Sequence, residues 1–146
     1  FESAAFEDPR AGSLGNSIRY NMITPHDMHL KVDGLDNLFC AGEKAGLLVG
    51  HTEAICTGTL AGHNAVRCAL GLGLILPPPI TVLGDLLSYI DATLRPPVGV
   101  PQKITCAGGA YFSRMYDTGL YTTDVKCIAS RVRQAGCENV FNQRLA

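Results

Sequence analysis

Apolar residues fall into short unbroken runs near residues 38 and 70, and into a spaced stripe from residue 83 onward. Residues 1–31 are polar and interrupted by Pro9, Gly12, Gly15 and Pro25, so they read as loop with one extended stretch over 18–23. Val32-Asp33-Gly34-Leu35-Asp36-Asn37 is dense in residues that accept tight backbone geometry and predicts a turn. Leu38-Phe39-Cys40-Ala41, closed by Gly42, has the pattern of a buried strand in a parallel sheet. A helix is expected from about Thr52, capped by Thr52 with Glu53 at its positive end, running through Leu70 to Gly71 and Gly73. Within it Gly58 and Gly62 share a face flanked by Ala54, Ala61 and Ala65. A glycine inside a helix costs about 1 kcal/mol relative to alanine. This row of small residues therefore reads either as tight helix–sheet packing or as close approach by another backbone or a ligand.

Pro77-Pro78-Pro79 marks a boundary and divides the chain into 1–76 and 77–146. Beyond it Thr81 is the expected cap of a second helix, whose stripe is Leu83, Leu86, Leu87, Ile90 and Leu94 and whose end is Pro96-Pro97. A loop containing Gly99, Gly108 and Gly109 leads to a third helix from about Thr123. Val125, Ile128 and Val132 are expected to face inward there, with Gly136 as terminator.

Composition supports a packed chain: 47% of the 146 residues are hydrophobic and 17% charged. The net charge of -1 argues against a dedicated nucleic-acid module, although the charge is uneven. Residues 1–76 carry five bases against eight acids, and residues 77–146 carry seven against five. Cys40, Cys56, Cys68, Cys106, Cys127 and Cys137 show no CxxC spacing and no histidines at metal-ligand distance, so no metal site is expected. Several lie in apolar runs, where free cysteine acts as a small hydrophobe. The apolar run ending at Leu76 is far too short for a membrane span, and no signal peptide is evident, so a reducing, cytoplasmic setting is expected. The first residue is Phe1, in keeping with a piece of a longer protein.

The informative constellation is the run 38–43, ending Ala41-Gly42-Glu43, followed by a loop with Gly46 and Gly50 and then the helix from Thr52. A glycine lets a cofactor pass close to the backbone, a carboxylate accepts hydrogen bonds from sugar or ribitol hydroxyls, and a helix amino terminus stabilises negative charge. Together with Glu53-Ala54, Gly58 and Leu60-Ala61-Gly62-His63-Asn64-Ala65, this pattern resembles the late FAD motif of the glucose-inhibited division protein A group. That group includes the folate- and FAD-dependent tRNA uridine-5-methyltransferases. Tyr20-Asn21-Met22-Ile23-Thr24-Pro25 and Thr81-Val82-Leu83-Gly84-Asp85-Leu86-Leu87-Ser88-Tyr89-Ile90 resemble its flanking segments. Three positions depart from the pattern: Glu43 stands for glutamine, His51 for tyrosine, and the 46–50 loop is one residue longer. The early Gly-x-Gly-x-x-Gly motif has no counterpart, since Gly12-Ser13-Leu14-Gly15 has the wrong spacing.

The resemblance implies an α/β fold, with a partial FAD-binding Rossmann-like half-fold over 1–76 followed by a small, mostly helical region over 77–146. It implies FAD as cofactor, with Gly42, Glu43, Gly50, His51, Thr52 and Glu53 lining its ribityl and isoalloxazine side, and assigns no catalytic residue. The expected function is a fragment of an FAD-dependent oxidoreductase, inactive alone, whose parent acts in tRNA uridine modification. The alternative is a non-catalytic protein- or RNA-binding module that retains the flavoprotein half-fold. Expected partners are the missing amino-terminal half of the flavoprotein or a second copy of the chain, and tRNA, with no membrane.

Overall fold

The computed structural model describes residues 24–46, 48, 50–94 and 104–145. The extended stretch expected over 18–23, the prolines at 96–97 expected to end the second helix, and the glycine at position 99 lie outside them.

Among the described residues the apolar run at 38–41 has no parallel neighbour. It folds back on residues 30–32 across the 33–37 turn, with Val32 N–H donating to the Leu38 carbonyl and Cys40 N–H to that of Leu30, each at 2.9 Å. The pairing is antiparallel and amounts to one bridge, Lys31 with Phe39. Gly34, at φ 75°, supplies the left-handed residue that the turn needs. Elsewhere Leu48 pairs in parallel with Ile104, also as an isolated bridge. Among the described residues no strand extends beyond such bridges, so the expected Rossmann-like α/β half-fold is not what this chain forms. A buried parallel strand requires neighbours on both edges to satisfy its backbone. Among the described residues the run at 38–41 has one antiparallel neighbour instead.

The described regular structure is helical. A short 3-10 helix, Gly42–Ala45, leads into α1, His51–Ala69. α2 is Val82–Leu94, α3 is Gly109–Asp117 and α4 is Val125–Gln134. α1 begins at Gly50 with no side-chain cap, where Thr52 was expected to serve. α2 begins as its sequence predicts: the Thr81 hydroxyl accepts from Gly84 N–H at 3.1 Å.

α2 organises the interior. Leu86 and Ile90 enter one apolar cluster with Leu48, Ile104, Tyr111, Met115 and Leu120. Leu87 enters a second with Leu30, Ala45, Leu60 and Ala61, and Leu83 packs against that cluster. α2 lies tight against the preceding prolines, because a Cβ at Gly84 would collide with the carbonyl oxygens of Pro77 and Pro78. Buried polar groups tie the layers together. Asn64, fully buried, donates to the carbonyls of His29 (3.2 Å) and Ile75 (2.9 Å) and accepts from Ile75 N–H at 2.8 Å. Asp85, on the inner side of α2, takes a two-pronged contact from Arg114 at 2.6 and 3.0 Å and accepts from the Tyr111 hydroxyl at 3.2 Å.

Two expectations about helix faces fail. Val125 and Ile128 are exposed and α4 buries no residue; its hold on the rest runs through Arg131, which donates to the Leu120 and Gly119 carbonyls. Gly58 and Gly62 meet no other part of the described chain, since a Cβ at either position would have open space. Gly58→Ala should therefore stabilise the dilute chain by roughly 0.5–1 kcal/mol, the ordinary helix-propensity gain. An unchanged or lowered denaturant midpoint would show that this glycine is needed.

Candidate functional site

The amino end of α1 is the one place where most of the residues singled out in the sequence converge. Gly42, at φ 58°, is buried against the first turns of α1, and its N–H donates to Thr57 Oγ1 at 3.0 Å. A Cβ there would touch Ala54 at 3.6 Å, so the close approach expected of this glycine is made by a helix. Thr57 in turn donates to the Glu53 carbonyl at 2.7 Å, which fixes the 3-10 helix onto α1. Glu43 is exposed, as are His51 and Thr52.

Glu53 is the buried member of the set, only 2% exposed. Its side chain folds back over Gly50, where any Cβ would collide with the carboxylate. It also accepts from the backbone N–H of Cys106, brought from more than fifty positions away. Burial pushes the Glu53 carboxyl up, but the opposing hydrogen bonds win. They come from the Cys106 and Glu53 backbone N–H groups, the Thr105 hydroxyl and the Cys106 thiol, and they hold it below the usual carboxylate range. The positive end of α1 is thus neutralised from within the chain. Neither the role of Asn64 nor the Asp85–Arg114 pair was anticipated from the sequence. A readable signal existed for Asp85, a carboxylate set among the apolar positions Leu83, Leu86 and Leu87.

Glu53→Ala should cost about 1–3 kcal/mol, because the Cys106 N–H loses its acceptor in a half-buried place. The carboxyl is lowered on folding, so its stabilising contribution is present above its ordinary value of 4.5 and is lost as pH falls below it. The melting temperature of the parent chain should therefore fall more steeply than that of Glu53→Gln below pH 4.5. Parallel curves for the two proteins would contradict this role.

Two of the other histidines are half-buried and make contacts of their own. His26 Nε2 lies 2.8 Å from the Ala45 carbonyl, and His63 meets Phe141 edge-on with ring centres 5.3 Å apart. Among the described residues no group of His, Cys, Asp or Glu is arranged to hold a metal, and no helix is long and apolar enough to cross a membrane.

The family model described as "Glucose inhibited division protein A" matches residues 2–72, just under half of the chain. Curated relatives include the methylenetetrahydrofolate–tRNA-(uracil-5-)-methyltransferases TrmFO of Bacillus mycoides (strain KBAB4) and Bacillus cereus (strain AH187). Each is 41% identical over 58 residues, which is 40% of this chain and 13% of the relative. The chain thus spans about an eighth of the length of these relatives. No solved structure matches it.

The likeness is real but partial, and the architecture it implied is overturned by the structure. A dinucleotide site of the expected kind sits at the carboxyl ends of parallel strands. Among the described residues there are none, and Glu53 fills the helix end where the flavin edge was placed. The expected FAD cofactor is accordingly withdrawn, and with it the flavoprotein and oxidoreductase assignment. Neither the oxidoreductase fragment nor the module built on a retained flavoprotein half-fold describes this chain.

Proposed function

We propose that the chain is a helical association module that pairs with a second copy of itself through the face of α1 that no described residue covers. The observation that carries this reading is the make-up of that face. Thr52, Ile55, Thr59, Gly62, Val66 and Ala69 recur at alternating spacings of three and four, all are exposed, and none is charged. That spacing lines one side of a helix as a seam for another helix. Thr59 already donates to the Ile55 carbonyl at 2.8 Å, so its hydroxyl does not resist burial.

The stripe is self-complementary. In an antiparallel pair centred between residues 59 and 62, Ile55 meets the partner's Val66, Thr59 meets the partner's Gly62 and Thr52 meets the partner's Ala69. Each contact then sets a larger side chain against a smaller one, and the open space at Gly58 and Gly62 lets the backbones approach closely. Antiparallel packing also places the positive end of each helix beside the negative end of the other. One helix of 19 residues is about 28 Å long and buries less than the ~800 Å² per partner typical of tight complexes. The pairing is therefore expected in the micromolar range.

Sedimentation equilibrium of the intact chain tests the reading. The apparent mass should rise from 15.5 kDa towards twice that value with concentration, and Val66→Lys should remain monomeric. Monomer throughout would contradict it. The relatives act, by their names, on tRNA uracil, and residues 77–146 carry the basic excess. Co-sedimentation with added tRNA at physiological salt, without dimer formation, would make RNA the partner instead.

A further inference from the structure

Two thiols flank the Glu53 carboxylate. Cys56 follows Glu53 by three positions on α1, and side chains so spaced lie about 5–6 Å apart on one face. Cys106 lies in the turn closed by the Thr105–Gly108 bridge, with its backbone N–H bound by Glu53 and its thiol beside the same carboxylate. Ile104, immediately before the turn, pairs with Leu48, which holds the turn against the start of α1 from a second side. Both cysteines are half-buried free thiols.

We propose that Cys56 and Cys106 are a reversible disulfide pair, oxidised by hydrogen peroxide, that staples α1 to the 105–108 turn. This inference is independent of the self-association reading. Cys56 attacks first. Its thiolate forms an S–O bond to one peroxide oxygen, the O–O bond breaks, and hydroxide leaves as water after taking a proton, so that Cys56 becomes a sulfenic acid. The Cys106 thiolate then attacks the Cys56 sulfur. The S–S bond forms, the S–O bond breaks, and the second hydroxide leaves as water with the proton that Cys106 gave up. Two thiols lose two electrons and peroxide gains them.

The order follows from the surroundings of each sulfur. Burial, then the Glu53 charge and hydrogen bond, push the Cys106 thiol up to about 12. Burial and Glu53 also raise Cys56, by a smaller amount, so Cys56 offers more thiolate at neutral pH. Glu53 thereby acts as a guard: it brings the two segments together while suppressing the reactive form of both sulfurs.

The test is peroxide treatment of the intact folded chain, followed by non-reducing digestion and mass spectrometry. A peptide linked through Cys56 and Cys106 is expected, forming several-fold faster in Glu53→Gln, where the carboxylate charge is gone and an acceptor for Cys106 N–H remains. Closing a loop of about 50 residues should raise the melting temperature by roughly 5–10 °C, and a dithiol reductant should reverse the rise. In Cys106→Ser the sulfenic acid should persist on Cys56 and be captured by dimedone. The proposal is overturned if neither the parent chain nor Glu53→Gln yields this link while circular dichroism shows the fold intact. It is equally overturned if the link appears only after unfolding in urea, or if Cys56 pairs with Cys68 instead.

Discussion

Gly84→Ala should lose about 3 kcal/mol of stability, at the upper end of the range for overpacking, although alanine is the better helix former. The reason is local and severe. The added methyl would fall on the carbonyl oxygens of Pro77 and Pro78, which are backbone atoms in a proline run with little freedom to yield. The same run supplies the Pro78 carbonyl that accepts from the Thr81 hydroxyl at 2.8 Å, so moving it would also disturb the start of α2. Because α2 serves both apolar clusters, its displacement reaches the whole interior. Chemical denaturation should show the midpoint fall sharply in Gly84→Ala and rise in Gly58→Ala. The same substitution in two helices then has opposite signs, decided by the neighbours alone. A neutral Gly84→Ala would mean that α2 does not lie against the prolines.

Removing Arg114 should have an effect of similar size. The Asp85 side chain is only 7% exposed, and Arg114 meets it with two hydrogen bonds while stacking over the Tyr89 ring at 5.5 Å. Arg114→Ala leaves a buried carboxylate with the Tyr111 hydroxyl as its remaining side-chain partner, and breaking such a pair costs on the order of 3 kcal/mol. The half-exposed position of Arg114 keeps the loss at the lower end of that range. Tyr111→Phe, which removes one hydroxyl and keeps the ring in the core, should cost only about 1 kcal/mol. If thermal melts rank these two variants the other way, the pair is not what joins α3 to α2.

What the sequence made legible was what neighbours in sequence determine. The α2 stripe from Leu83 to Ile90, its Thr81 cap and the 33–37 turn all follow from side chains within a few positions of one another, and the structure has them. The apolar run at 38–41 carried no such information. A short unbroken run does not say whether its partner is parallel or antiparallel, and the partner proved to be residues 30–32, just across the turn. α3 was missed because Gly108 and Gly109 read as breakers, and Tyr111 and Met115 are a single pair of inward positions at a spacing of four. α4 was placed correctly but turned the wrong way. Its apolar residues predict an inner face, yet the helix is held by Arg131 on carbonyls.

The candidate site divides in the same way. Gly42 and Glu53 were expected to line a cofactor, and in the structure both are surrounded by the chain's own groups. The sequence offers a glycine for close approach and a carboxylate at a helix end. Whether a cofactor or the chain itself fills that space depends on Cys106, and no local signal links it to Glu53. The match to the family model ends at residue 72, well before the turn that carries Cys106.

The most direct test of the association reading is to mix two charge variants, Ile55→Lys and Val66→Glu, which are each expected to be monomeric alone. In the antiparallel register the lysine of one chain lies opposite the glutamate of the other, and the remaining contact is Ile55 of one chain against Val66 of the other. Equal mixing should therefore restore a dimer by sedimentation equilibrium, and high salt should weaken it. A mixture that stays monomeric while the parent chain dimerises would contradict the register. A parent chain that never dimerises would contradict the account itself.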